Sequence, residues 1–222
     1  MLAKIFNYDN PVFRFFIKVG YIWWLNILWL ICSIPIFTIG ASTTALVYSC
    51  MKLQKDEGYV TENFFKSFKE NFKQATGIWL IYVVIGVALI GDLIYWNQVD
   101  SSNLKLIWAV TLALLIPYSY SLLYVFAIQS KFVNTIKNTI HFALVLPLKY
   151  LKYTFPMLVI VGIVVYLNAV TVIMVNFVTM NIGIGIVAYL LSFYYRKIFS
   201  FYIPEEKQEE NEESADTVSD HK

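Results

Sequence analysis

Long apolar runs, broken by short charged stretches, dominate the chain from residue 12 onward. The first run covers Val12 to Ile34 and stops at Pro35, whose ring clashes with the preceding helical turn. Ile36 to Met51 follows, apolar but short. As a helix it would be about 24 Å long, against a hydrocarbon core of about 30 Å. Clearer runs cover Ala75 to Asn97, Leu104 to Ile128, Thr154 to Val172 and Ile182 to Phe201. The pattern predicts an all-α fold, a polytopic transmembrane helical bundle. It has six spans if Ile36–Met51 crosses the bilayer and five if it does not.

Two segments between the runs carry stripes of helical period. In Thr61–Ala75, Phe64, Phe65, Phe68 and Phe72 share one face, while Glu62, Lys66, Lys69 and Lys73 share another. In Lys131–Leu146, Val133, Ile136, Ile140, Ala143 and Leu144 face away from Asn134, Lys137, Asn138 and His141. Both read as interfacial amphipathic helices lying on the cytoplasmic surface, apolar side down. Either they cap the bundle, or they form a docking surface for a cytoplasmic partner.

Composition agrees with a membrane protein: 59% of residues are hydrophobic and 14% charged. Soluble domains are roughly 45–50% apolar and 25% charged. Of the 17 Lys/Arg and 15 Asp/Glu, residues 205–222 hold two and eight, which leaves a basic body and an acidic tail. That tail lacks apolar residues to bury and reads as disordered. The expected organisation is one membrane domain over residues 1–204 and an acidic cytoplasmic tail over 205–222. The lysines flank apolar spans and form no separate basic domain, so nucleic acid is not an expected partner. No cleavable signal peptide is visible.

Charge placement bears on the number of crossings. Lys4, Arg14 and Lys18 precede the first span, Lys52 to Lys73 holds five lysines, and Lys131 to Lys152 holds four. Arg196 and Lys197 follow the last span. If Ile36–Met51 crosses, all these groups fall on one side and Lys105 alone lies opposite. The positive-inside rule then favours six crossings with both termini cytoplasmic. Small and hydroxylated residues in the short span (Gly40, Ala41, Ser42, Thr43, Thr44, Ala45, Ser49) suit close helix packing in lipid.

Chemistry is sparse. No metalloprotease, nucleophile-elbow, phosphate-loop or calcium-loop spacing occurs, and no pair of acids falls within the spans, so the chain reads as a non-enzyme without cofactor or metal. Cys32 and Cys50 have neither metal-ligand nor redox spacing and read as free thiols. Asp92, near the outer end of its span, either reaches the headgroups or is a functional intramembrane carboxylate. Pro117 interrupts the fourth long run beside Tyr118 and Ser119. It is either a packed kink or one wall of a polar, aromatic-lined cavity completed by Asn26, Thr43, Thr44 and Asn168.

The segments Pro35–Leu46, Met51-Lys52, Asp56–Tyr59 and Phe64–Ala75 together resemble the YesL family. These are small integral membrane proteins of Gram-positive bacteria, classed as a domain of unknown function. The resemblance is dense over about residues 5 to 100 and rests on hydropathy beyond. It supplies no catalytic residues. It implies the company of sugar-uptake ABC transporters and glycoside-degrading enzymes. The expected role is an accessory component of carbohydrate uptake, touching ABC transporter subunits through the two striped helices. The alternatives are an autonomous small-solute transporter or channel, and a regulatory partner of a membrane sensor kinase.

Overall fold

The computed structural model describes residues 11–97, 105–170, 176 and 179–202. The acidic tail over 205–222 and Lys4 lie outside the described residues. Among the described residues seven α-helices follow one another: α1 (Pro11–Cys32), α2 (Ile39–Gln54), α3 (Val60–Asn97), α4 (Lys105–Lys131), α5 (Ile136–Lys149), α6 (Leu151–Val170) and α7 (Ile184–Phe199). A 3-10 turn, Ile36–Thr38, leads into α2, and a π turn, Thr179–Gly183, leads into α7. Six helical segments among these residues are long and apolar enough to cross a membrane. The chain is an all-α, multi-pass helical bundle.

The short second helix is the centre of that bundle. Two thirds of its apolar window is buried (67%), whereas α6 buries only 11% of its own and stands at the periphery. Its hydroxyls make this burial tolerable by turning onto their own helix: Ser42 Oγ donates to Thr38 O (3.1 Å) and Thr44 Oγ1 to Gly40 O (2.9 Å). Gly40 brings α2 against α3 and α4. A Cβ there would lie 2.4 Å from Ala75 O, 2.6 Å from Trp79 Cβ and 3.0 Å from Phe126 Cε1. The expectation that small residues set this packing is met. One apolar core joins α2 to α3, α4, α5, α6 and α7 around Tyr124, Ile128, Met157 and Tyr195. A second joins α1, α2, α3 and α7 around Leu25, Leu46 and Phe64.

Contacts fix the direction of each helix. Trp29 Nε1 donates to Thr43 Oγ1 (3.1 Å) near one end of the α1–α2 pair, and Lys18 Nζ pairs with Asp56 (3.0 Å) at the other. So α2 returns the chain to the end where α1 began, as six crossings require. Helices α3 and α4 run antiparallel likewise: Asp92 meets Thr111 at one end, and Gln129 Nε2 donates to Asn71 Oδ1 (2.9 Å) at the other. The described cations from Arg14 to Lys73 and from Lys131 to Lys197 gather at one end of the bundle, and α4 opens with Lys105 at the opposite end.

Both striped segments depart from expectation. Thr61–Ala75 is not a separate helix lying on the surface. It is the first part of α3, which runs unbroken for 38 residues, about 57 Å. No proline falls between Phe72 and Gly77 to stop a helix. The second segment begins at Ile136, with Thr135 as N-cap, leaving Val133 fully exposed before it. Thr139, Ala143, Leu146 and Pro147 turn inward, whereas Leu144 does not. The outward side of α5 is polar at Lys137, Asn138 and His141 and apolar at Leu144, Val145 and Leu148. Phe142 is exposed beside His141, and Lys149 is exposed at the far end, so polar residues stand at both ends of the outward side.

Candidate functional site

The six polar residues expected to form one cavity do not come together. Asn26 is fully buried and serves as a clamp. Its Nδ2 donates to Met180 O (2.9 Å) and Asn181 O (2.7 Å), and its Oδ1 accepts from Gly185 N (2.8 Å). Those partners are carbonyls of the π turn and an amide of the first turn of α7, which a π turn leaves without regular helical pairing. Thr44 is buried and bonded within α2. Tyr118 Oη donates to Tyr82 O (3.0 Å) and lies where a Cβ on Gly86 would sit. Asn168 Nδ2 bonds back to Val164 O (2.8 Å) along α6.

Thr43 and Ser119 do share a groove, of about 430 Å³, between α2, α4, α6 and α7. Its walls include Leu46, Phe126, Val161, Val187 and Leu191. The polar groups at its edge are already engaged. Thr43 Oγ1 accepts from Trp29, Ser119 Oγ donates to Leu115 O (2.7 Å), and Tyr195 Oη donates to Leu123 O (2.6 Å). This lining suits hydrocarbon. It provides no row of donors or acceptors of the kind that replaces the hydration shell of an ion or sugar. Pro117 sits within a continuous α4, so the kink reading of that proline does not open a polar chamber.

The docking face is half as expected. Phe64 is fully buried in the second core, with Phe68 partly buried beside it, and the rings continue through Phe72 at 5.5 Å from Phe68. Phe64 is therefore spent inside the protein, whereas Phe65 is exposed and Phe68 and Phe72 are partly buried. Lys66, Lys69 and Lys73 face outward on α3, as do Lys137 and His141 on α5. What remains exposed on α3 is a mixed face, Lys66, Lys69 and Lys73 beside Glu62 and Glu70, with a net positive charge.

At the opposite end, Asp92 is a latch between helices. Its carboxylate accepts from Trp96 Nε1 (2.9 Å) and from Thr111 Oγ1 (2.7 Å), and Thr111 itself is buried. Both bonds are to an ionisable acceptor; the one from Thr111 ties α3 to α4, and the one from Trp96 lies within α3. Asp92→Ala is expected to lower the stability of the purified protein by about 1–2 kcal/mol, and Thr111→Val by about half as much. Thermal unfolding in detergent measures both, and midpoints equal to the wild type would rule the latch out.

Sequence reasoning missed three features. Gln129, buried in α4, links Asn71 of α3 to Thr139 of α5 (2.9 and 3.4 Å). The Asp56–Glu57 turn carries both acids of the loop between α2 and α3, each held by two cations. Asp56 faces Lys18 and Arg14 (3.0 and 3.7 Å), and Glu57 faces Lys52 and Lys55. The third is the Asn26 clamp. One signal was available for the turn: Asp56 and Gly58 both adopt left-handed backbone (φ 56° and 66°), a conformation that Asp and Gly tolerate best.

Residues 22–93 match the model of a family described as a protein of unknown function, DUF624. The matched stretch runs from Ile22 in α1 through α2 to Leu93 in α3. It contains the Gly40 contact, the Asp56–Glu57 turn and the phenylalanine stripe. No curated protein and no solved structure matches the chain. The matched family names no chemistry, so the functional reading rests on geometry.

Proposed function

We propose that this protein is a non-enzymatic accessory subunit of a bacterial plasma-membrane uptake system, docking an acidic cytoplasmic surface of its partner onto the lysine row of α3. The observation that carries the reading is the exposure of Lys66, Lys69 and Lys73 on the N-terminal half of α3. This half runs alongside α2, with Val60 and Phe64 beside Cys50 and Leu53, so it begins at the end of the bundle where Lys52 and Lys55 lie. The clustering of cations at one end supports a cytoplasmic placement for it, with both termini inside.

The finer reading, an ABC-type sugar transporter as the partner, draws on the YesL resemblance carried by Pro35–Leu46 and Phe64–Ala75. The transporter alternative is supported less, because the groove beside Pro117 is apolar and its edge hydroxyls are engaged. A regulatory role beside a sensor kinase would use the same lysine row and would show as altered gene induction with uptake intact.

Mild-detergent purification of the tagged protein from cells growing on an inducing sugar tests the reading. Transporter subunits are expected to co-purify. The Lys66→Glu/Lys69→Glu/Lys73→Glu variant should lower their recovery at least about tenfold, because like charges then face the acidic partner. Recovery of no transporter subunit, or recovery unaffected by charge reversal, would sink the proposal.

A further inference from the structure

The second half of the chain carries its cations without any acid among them. Residues 101–204 contain no Asp or Glu, and the next acids in sequence are those of the tail, beginning at Glu205 and Glu206. Three of the cations come from three different helices. Lys149 lies in the last turn of α5, Lys152 in the first turn of α6 and Lys197 in the last turn of α7. All three are exposed.

Aromatic contacts place them around the point where the chain leaves α7. Lys149 Nζ donates to Tyr202 Oη (2.9 Å) and stands 5.0 Å from the centre of that ring. Phe201 stacks on Tyr150, the residue between α5 and α6, at 5.7 Å. Lys197 Nζ lies 5.6 Å from the ring centre of Tyr153, the neighbour of Lys152. The three lysines thus form a collar. Among the described residues, no acid makes an ion pair with any of them. Helix dipoles account for part of the collar, since cations suit the C-terminal turns of α5 and α7. Lys152 stands instead at the start of α6, where the dipole favours an anion.

Tyr202 is the last residue before the tail that the structure describes, and its bond to Lys149 fixes the exit of the chain at the collar. Glu205 follows three residues later, at most about 11 Å along the chain, and Glu213 eleven residues later, at most about 40 Å. Residues 205–213 hold six acids against Lys207. A short tether raises the local concentration of an attached ligand to about the millimolar range. One exposed ion pair is worth little, but several made by one tethered segment act together.

We propose that this collar is the docking site of the chain's own acidic segment, residues 205–213. Charge, reach and the exit point of the chain agree on that occupant. The rival ligand is an anionic lipid headgroup, because Leu151 and Phe155 beside the collar are exposed apolar residues. The proposal stands independently of the accessory-subunit reading, because it uses neither the lysine row of α3 nor a protein partner.

Carbodiimide joins a carboxylate to an amine only where the two are in contact, and it tests the proposal on the full-length protein in neutral detergent. At about 0.15 M salt, peptide mapping of the monomer is expected to join acids of 205–213 to Lys149, Lys152 or Lys197. At about 1 M salt the screening length falls to about 3 Å, and the yield should drop at least about fivefold. A variant with all six glutamates of 205–213 replaced by Gln provides a second measurement. Its collar lysines should react about threefold faster with an amine-acylating reagent, while Lys66 and Lys69 react as in the wild type. These substitutions lie outside the described helices, so the comparison does not depend on refolding the bundle. The third arm adds phosphatidylglycerol to phosphatidylcholine nanodiscs, where the wild-type cross-links should persist. Protection of the collar by phosphatidylglycerol in the wild type and the Gln variant alike would assign it to headgroups and overturn the proposal. So would the absence of cross-links to the collar, cross-links spread evenly over Lys66, Lys69 and Lys73, or unchanged lysine reactivity in the Gln variant.

Discussion

Gly40→Val is expected to prevent the purified protein from reaching a monodisperse folded state. The new side chain would start 2.4 Å from a backbone carbonyl of α3, at Ala75, and 2.6 Å from the Cβ of Trp79. Backbone on a helix packed along its length cannot step aside as the end of a flexible side chain does. Even Gly40→Ala should cost about 3 kcal/mol, the upper part of the range for over-packing. Gly20, Gly91 and Gly162 provide the contrast, since a Cβ at each meets nothing within 4 Å. Alanine there should be neutral or stabilising by up to about 1 kcal/mol, from helix propensity alone. Size-exclusion profiles and unfolding midpoints distinguish the sites. Equal tolerance of Ala at Gly40 and Gly91 would refute the close approach.

Asn26→Leu should produce the second large effect, a loss of about 2–4 kcal/mol together with local opening of the turn before α7. The substitution keeps approximate volume but leaves two carbonyls and one amide without their partner. Asn26→Asp separates shape from hydrogen bonding. It preserves the acceptor for Gly185 N–H, yet points a carboxylate at the carbonyls of Met180 and Asn181, so it should be at least as damaging. Hydrogen exchange over residues 179–185 should speed up in both variants. Unchanged protection in Asn26→Leu would show that the π turn holds itself.

The distribution of these effects shows which parts of the fold the sequence could reveal. Apolar run lengths located five of the six candidate spans among the described residues to within a few residues, and the third at its C-terminal end only, because a bilayer demands satisfied backbone over a fixed thickness and little else satisfies it. The packing role of Gly40 and its hydroxylated neighbours was also legible, since small residues in a span have few other uses. The continuity of α3 was misread because a change in surface character at Ala75 was taken as a change in helix direction. Backbone hydrogen bonding takes no account of that change, and no proline or cap interrupts it. The Asn26 clamp was out of reach of local pattern. Its partners lie more than 150 residues away in sequence, and a buried Asn in a span reads equally as a cavity wall. The lysine collar at the ends of α5, α6 and α7 is a similar case. Its cations look like ordinary membrane flanks until the fold brings three helix ends to one place.

The unbroken α3 has a mechanical consequence. Its first half is fastened to three neighbours: Trp24 Nε1 donates to Thr61 Oγ1, Phe64 sits in the core shared with α1 and α2, and Gln129 of α4 donates to Asn71. Its second half is fastened to α4 again, where Thr111 donates to Asp92. Tilt of a span is set by packing against its neighbours, so α3 cannot tilt without carrying α1, α2 and α4 with it.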